Sequence, residues 1–285
     1  MNNKIVIENM DKYIPNKKQY IKLNDLMPDP SKHIAIIGGT GSGKSNLLLN
    51  MLKYMYFDRL YLFTKDLTED KYELLKKMID SMEQNINMKL NQIKNKKIDP
   101  IKVGYYSESL KDLPAINDLP KDQQIICIFD DFLTDKMQKP IEEYYIRARK
   151  YGVTCIYLSQ NLFDIPKIIR KNVSYLCIFD NGNAREVQEY AKSYSSRIPY
   201  KEFIEIYKKI MSHDHSFMVI DCSTRDLRMH IREGFDGIHV LDNYIKQSHL
   251  PSKSTPVDIP KKKIQKKAKP NYDDSYDDPL DDIYT

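Results

Sequence analysis

No apolar run in these 285 residues approaches the roughly 20 that a membrane-spanning helix needs. The N-terminal stretch MNNKIVIENMDKYIPNKK lacks the apolar core of a signal peptide. A soluble protein with no membrane contact is expected. Cysteine is scarce: Cys127, Cys155, Cys177 and Cys222 each sit within or at the end of an apolar run that reads as a strand. No C-x-x-C pair and no Cys/His metal spacing occurs, so neither a disulfide framework nor a zinc site is expected, and the thiols read as buried and reduced. A strong charge excess is missing too. Lys and Arg number 45 against 40 Asp and Glu, a net charge of +5. That balance permits a nucleic-acid partner without demanding one, because nonspecific binding depends on local clusters more than on the total. Repeats of solenoid period are absent, and the length is ample for one large core.

What the chain does have is His33 to Asn50, HIAIIGGTGSGKSNLLLN. The spacing of Gly38, Gly43, Lys44 and Ser45 fits G-x-x-x-x-G-K-[ST], a phosphate-binding loop, and Gly39 and Gly41 add two positions without a Cβ. Glycines let successive N–H groups curl around a phosphate, and the helix that follows offers amides without intrahelical partners. The stretch Gly38, Gly39, Thr40, Gly41, Ser42, Gly43, Lys44, Ser45 and Asn46 is therefore expected to bind ATP. Lys44 would reach the β- and γ-phosphates and the Ser45 hydroxyl would hold Mg²⁺. Ile34 to Ile37 supplies the strand before the loop and Leu47 to Leu52 the helix after it.

A second constellation lies at Gln124 to Asp131, QIICIFDD, a buried strand that ends in two carboxylates. Ligands bind at the C-terminal ends of strands in open α/β sheets. Asp130 would orient Mg²⁺, directly or through water, and Asp131 would be the general base or the water-orienting group. The same pair also suits a helix N-cap and a turn. Val153 to Leu158 is another buried strand and ends in Ser159-Gln160-Asn161. Gln160 is placed to sense a γ-phosphate or hold the attacking water, and equally to close a turn on its own backbone.

Other strands are expected at Arg59–Thr64, Lys102–Tyr106 and Tyr175–Phe179, with a late pair at Phe217–Asp221 and Leu227–Arg232. Helical patterns cover Thr68–Asn95, an amphipathic covering helix, then the segment from Pro140 to its Gly152 cap, and Ile165–Lys171, Ala184–Tyr194 and Tyr200–Met211. The alternation predicts an α/β fold with a mainly parallel sheet flanked by helices and an antiparallel edge from the late pair. Three segments follow: a lead-in of 1–31 that is either an entry strand at the apolar Lys4–Glu8 or a lid that packs on the core, a phosphate-loop ATPase domain of 32–249, and a tail of 250–285. The tail runs from the basic KKKIQKKAK into the acidic NYDDSYDDPLDDIYT and is expected to be disordered, either binding nucleic acid or a partner, or simply solvated.

GGTGSGKS at Gly38, IFDDF at Ile128, RARKYG at Arg147 and YLSQNLFDIPKIIRKN at Tyr157 together resemble the FtsK/HerA superfamily of DNA-pumping ATPases. Within it they are most similar to the poxvirus-type genome-packaging ATPases of large cytoplasmic DNA viruses and their virophages. The resemblance covers roughly Ile34 to Phe179, about half the chain. It implies a RecA/ASCE-like P-loop NTPase fold with one strand between those of the phosphate loop and the acidic motif. It also implies ATP hydrolysis between subunits of a homo-oligomeric ring, a hexamer or pentamer, with double-stranded DNA moved through its centre. It lifts Gln160 from turn residue to sensor. A neighbouring subunit would donate an arginine finger: Arg149 matches best, with Arg147 and Arg170 in reserve, although each equally suits a surface cation, as Glu143 suits Arg147. Lys136 and Lys139, just past the acidic strand, are the candidate pore-loop cations. Many relatives carry Asp-Glu where this chain has Asp130-Asp131. The long membrane part and DNA-reading domain of bacterial FtsK are missing, which argues against chromosome segregation. The resemblance thus implies a motor that packages a viral genome, with a capsid or portal partner, in the virion or the host cytoplasm. A plasmid or conjugative-element pump, or a nucleotide-gated scaffold without useful turnover, would carry the same loop.

Overall fold

The computed structural model describes residues 20–93, 99–132, 138–195 and 197–237. The Lys4–Glu8 strand, Lys136 and the tail from Leu250 lie outside the described residues. The apolar runs form eight strands: β1 (His33–Ile37), β2 (Arg59–Thr64), β3 (Gly104–Ser107), β4 (Ile125–Asp130), β5 (Val153–Ser159), β6 (Val173–Phe179), β7 (Phe217–Asp221) and β8 (Ile231–Glu233). They make one sheet in the order β3-β2-β4-β5-β1-β6-β7-β8. Strands β1 to β6 pair in parallel, and β7 and β8 continue the sheet antiparallel. The fold is that of a P-loop NTPase, with β5 between the loop strand β1 and the acidic strand β4, as the resemblance implies.

Strands buried on both faces need apolar residues at both parities, and these have them. Ile34, Ile36, Leu60, Leu62, Ile126 and Ile128 face α1 (Lys44–Leu52) and α2 (Asp70–Ile93), which contribute Leu48, Met51, Tyr72 and Leu75. The alternate residues, Ala35, Ile37, Tyr61, Phe63, Cys127 and Phe129, face α3 (Lys139–Arg147), α5 (Ala184–Ser193) and α6 (Tyr200–Ile210). A shorter helix, α4 (Lys167–Asn172), connects β5 to β6. Cys127, Cys155 and Cys177 are buried free thiols and Cys222 is half-buried. Burial pushes the Cys177 thiol up to about 12.

Several boundaries differ from the sequence pattern for local reasons. The first four residues of the expected Leu227–Arg232 strand form one helical turn, α7 (Leu227–His230), because the Asp226 carboxylate accepts the Arg228 amide at 3.0 Å and starts it. Only Ile231–Glu233 joins the sheet. The helix that Pro140 opens tightens into a 3-10 turn at Ala148–Tyr151 before Gly152, at φ 82°, caps it. Residues 20–31 contain no strand. Met27 of that segment is nonetheless buried in the core.

A parallel sheet sets the C-terminal ends of β2, β4, β5 and β1 along one edge. The loops after those four strands are therefore neighbours, although residues 37 to 160 separate them in the chain.

Candidate active site

The phosphate loop runs from the end of β1 to the start of α1. Gly38 donates its N–H to the Ser159 carbonyl at 3.1 Å, which ties the loop to the tip of β5. A Cβ on Gly38 would lie 2.6 Å from Ser42 Oγ and 2.7 Å from Phe179 Cβ, so this position has no room for a side chain. Gly41 and Gly43 take φ of 77° and 108°, in the left-handed region that other residues resist. Gly43 brings no side-chain cap to α1, and the first turn of α1 has no acidic residue, so its leading amides face the loop without a built-in acceptor. Lys44 folds back over the loop, donating to the Gly38 carbonyl at 2.6 Å and the Gly39 carbonyl at 3.0 Å. Burial lowers its pKa, and the carboxylates of Asp130 and Glu69 act against that shift.

Lys44 and Ser45 line one pocket with Asp130, Asp131 and Gln160, a space of about 260 Å³ over the tips of β1, β4 and β5. The fold thus brings together the sequence's phosphate-loop, acidic and amide candidates. Asp130 ends β4, and its carboxylate is raised in pKa chiefly by burial. The Tyr72 hydroxyl donates to Asp130 Oδ2 and opposes that rise. Asp131 leaves the strand in the left-handed region at φ 59° and is exposed. Gln160 is exposed into the pocket, while Ser159 Oγ turns back to the Asn161 carbonyl at 2.7 Å. A second cavity of about 900 Å³ opens on the other flank of the loop, between Gly41, Ser42 and Asn46 and the aromatic rings of Phe179, Phe217 and Phe235. Those rings form a chain, with Phe179 and Phe217 centroids 5.5 Å apart and Phe217 and Phe235 centroids 5.1 Å apart.

The arginine candidates do not join this pocket within the subunit. Arg149 precedes β5, at the strand end opposite Gln160, and its Nε donates to the Ser31 carbonyl at 3.2 Å. Its charge adds to the burial that lowers His33 to about 4. Arg147 pairs with Glu143 as its i,i+4 spacing anticipates, on the exposed face of α3. Arg170 lies 5.3 Å above the Phe163 ring. Lys139 is exposed at the start of α3.

The family model of the poxvirus A32 protein matches residues 18–225. The chain belongs to this family. No curated protein matches it. Among solved structures it is similar to the genome packaging NTPase B204 of Sulfolobus turreted icosahedral virus 2 bound to ATP-gammaS, at 17% identity over 73% of this chain and 98% of that one, with a TM-score of 0.48. It is also similar to the pCW3 conjugation coupling protein TcpA, at 17% identity over 68% of this chain and 58% of that one, with a TM-score of 0.36.

In this member of the A32 family the pocket also contains residues that the sequence pattern did not mark. Thr64 at the end of β2, Asp66 and Glu69 in the turn after it and Lys71 in the first turn of α2 line it, and the Tyr72 hydroxyl reaches Asp130 beneath them. By periodicity Tyr72 is one more apolar position of a covering helix. Its contact with Asp130 follows from β2 and β4 being adjacent, an order that linear sequence does not display. The signal that was present is the shortness of the turn: α2 starts six residues after β2 ends, so its first turn has to sit at the ligand edge.

Proposed function

We propose that the chain is one subunit of a homo-oligomeric ring that hydrolyses Mg-ATP to drive double-stranded DNA, without sequence preference, into a viral capsid. The observation that carries this is the convergence of Lys44, Ser45, Asp130 and Gln160 on one pocket in a chain of the poxvirus A32 family. The loop amides of Gly38 to Asn46 would cradle the α- and β-phosphates, and Lys44 would unfold from its own carbonyls onto the β- and γ-phosphates. The nucleoside would enter the aromatic cavity beside Asn46. Ser45 and Asp130 offer hard oxygen donors of the kind Mg²⁺ takes together with phosphate oxygens. Among the described residues no group of three or more His, Cys, Asp or Glu forms a cage that could hold a metal without the nucleotide. Bound there, Mg²⁺ would neutralise charge on the β- and γ-phosphates. Gln160 would sense the γ-phosphate, and Asp131 is the sequence's candidate for the base.

Arg149 sits on the far edge from its own pocket, so it would act in trans on the neighbouring subunit. DNA contacts would be mainly to phosphates, with binding that weakens steeply as salt rises. Lys139 is the candidate pore cation within the described residues, and a capsid or portal protein would anchor the ring at its place of work, the virion or the viral factory in the host cytoplasm. No helix among the described residues is long and apolar enough to cross a membrane.

The test is ATP hydrolysis by the purified protein with and without linear double-stranded DNA at low salt, with Arg149→Ala subunits titrated into wild type. DNA is expected to stimulate turnover, and the variant subunits to poison it more steeply than their mole fraction. Turnover indifferent to DNA would rule out a translocase, and loss in proportion to mole fraction would rule out Arg149 as a trans finger.

Tyr72 is a positioning residue for Asp130. Tyr72→Phe keeps the buried ring but deprives the carboxylate of its donor, and groups that orient metal ligands typically contribute about 10-fold or more to metal affinity. The Mg²⁺ concentration for half-maximal hydrolysis is expected to rise by about that factor, with kcat at saturating Mg²⁺ changed far less. An unchanged Mg²⁺ titration would show that the contact serves packing alone.

A further inference from the structure

Besides Asp130, three carboxylates line the phosphate pocket: Asp66, Glu69 and Asp131. Resting on the ATPase reading above, we propose that Glu69 is the catalytic residue that orients the attacking water and takes its proton, the part the sequence assigns to Asp131.

The other two are less well placed. Asp66 Oδ1 is taken up by its own turn, accepting from the Thr68 amide at 2.8 Å and the Thr68 hydroxyl at 2.6 Å. Asp131 leaves β4 in a left-handed turn and, exposed like Glu69, has no hydrogen bond on its carboxylate among the described residues. Glu69 stands on a fixed base. Its carbonyl accepts the amides of Tyr72 at 2.9 Å and Glu73 at 3.0 Å, and Tyr72 in turn is fully buried with its hydroxyl on Asp130. One helical turn therefore holds the Glu69 backbone at a set distance from Asp130. The Glu69 side chain is exposed, and its Oε1 accepts from Ser45 Oγ at 3.5 Å at the mouth of the pocket. A glutamate also reaches one methylene further than an aspartate, which suits a base that works across the nucleotide from the turn after β2.

In the step assigned to it, the water oxygen bonds the γ-phosphorus as the bond from that phosphorus to the bridging oxygen breaks. The electron pair of the broken bond leaves on ADP. The water proton goes to the Glu69 carboxylate and from there to the released inorganic phosphate.

The experiment compares full-length wild type, Glu69→Gln and Asp131→Asn for steady-state hydrolysis, binding of ATPγS, and Mg²⁺ dependence. A positioned general base contributes about 10²- to 10⁴-fold. Glu69→Gln is thus expected to lower kcat by about 100-fold or more, while ATPγS affinity stays within about 3-fold and the Mg²⁺ midpoint does not move. Asp131→Asn is expected to lower kcat by less than about 10-fold. The assignment is overturned if Glu69→Gln turns over within about 5-fold of wild type, if ATPγS binding falls along with kcat, or if added Mg²⁺ restores its rate, which would make Glu69 an outer contact of the metal. It is equally overturned if Asp131→Asn is the more damaged variant. A wild-type protein that does not hydrolyse ATP would instead sink the ATPase reading itself.

Discussion

Lys44→Ala is expected to abolish ATP hydrolysis to the limit of detection, a fall of at least 10²- to 10³-fold, the loss typical of removing one donor that stabilises transition-state charge. The expectation rests on where the ammonium lies. In this structure it spans the loop it serves, bonded to the carbonyls of Gly38 and Gly39, with the Asp130 and Glu69 carboxylates favouring its charged form. An incoming phosphate offers it stronger acceptors than two backbone carbonyls, so the side chain can exchange one set of partners for another without moving the helix that holds it. Alanine leaves the loop backbone and its glycines intact. Lys44 is only half-buried, so the folded state should survive, with a melting temperature within about 2 to 4 °C of wild type, or roughly 1 kcal/mol for a domain of this size. Hydrolysis and calorimetry on one preparation check both halves. Activity within about 10-fold of wild type would mean that the lysine holds the empty loop together rather than acting on the nucleotide.

How far this site is visible in the sequence depends on whether its residues act locally. Gly38 to Ser45 is continuous in the chain, so its spacing alone predicts the loop, and the structure supplies the reasons: no space for a Cβ at Gly38 and left-handed turns at Gly41 and Gly43. Asp130 and Gln160 are visible because a buried strand that ends in a polar group is a pattern within one segment. Tyr72 and Glu69 are invisible because their meaning comes from the adjacency of β2 and β4. Thr64 pairs with Asp130 in that register, so whatever follows β2 must meet the acidic strand tip. Amphipathic periodicity reports only that α2 has a buried face, and two chemically different roles, core packing and a hydroxyl on the Asp130 carboxylate, share that face. The late strand pair fails for another reason. Leu227 to Arg232 has strand-like composition, but a single Asp226 cap converts its first four residues into a helical turn. For Arg149 the sequence offers a position and the subunit offers a surface, and its role depends on a neighbour that a single chain does not contain.

The buried end of that late pair carries the largest expected effect on stability. Arg232→Ala is expected to destabilise the fold by about 3 kcal/mol and to lower the melting temperature by about 6 to 12 °C. Arg232 is fully buried, and its acceptors among the described residues are the Leu26 carbonyl at 3.0 Å, the Phe235 carbonyl at 2.5 Å and the Tyr175 hydroxyl oxygen at 3.0 Å. Its guanidinium also lies 5.6 Å from the centre of the Tyr175 ring. Two effects oppose each other here. Burying a cation without a carboxylate is costly, so removing it recovers desolvation energy. Against that, alanine leaves a side-chain-sized void and strips the Phe235 carbonyl of its donor, and hydrogen bonds from charged groups contribute about 1.5 to 3 kcal/mol each. The second effect should win, because the arginine joins three separate pieces of chain: the segment before β1, the strand β6 and the turn after β8. Leu26 and Phe235 also line the cavity assigned to the nucleoside, so ATPγS affinity should fall with stability. Arg232→Met separates the causes by restoring volume without donors. A methionine variant less stable than wild type but more stable than alanine assigns part of the effect to hydrogen bonds. One more stable than wild type would mean that desolvation dominates and that the arginine is kept for the shape of the cavity rather than for the stability of the sheet.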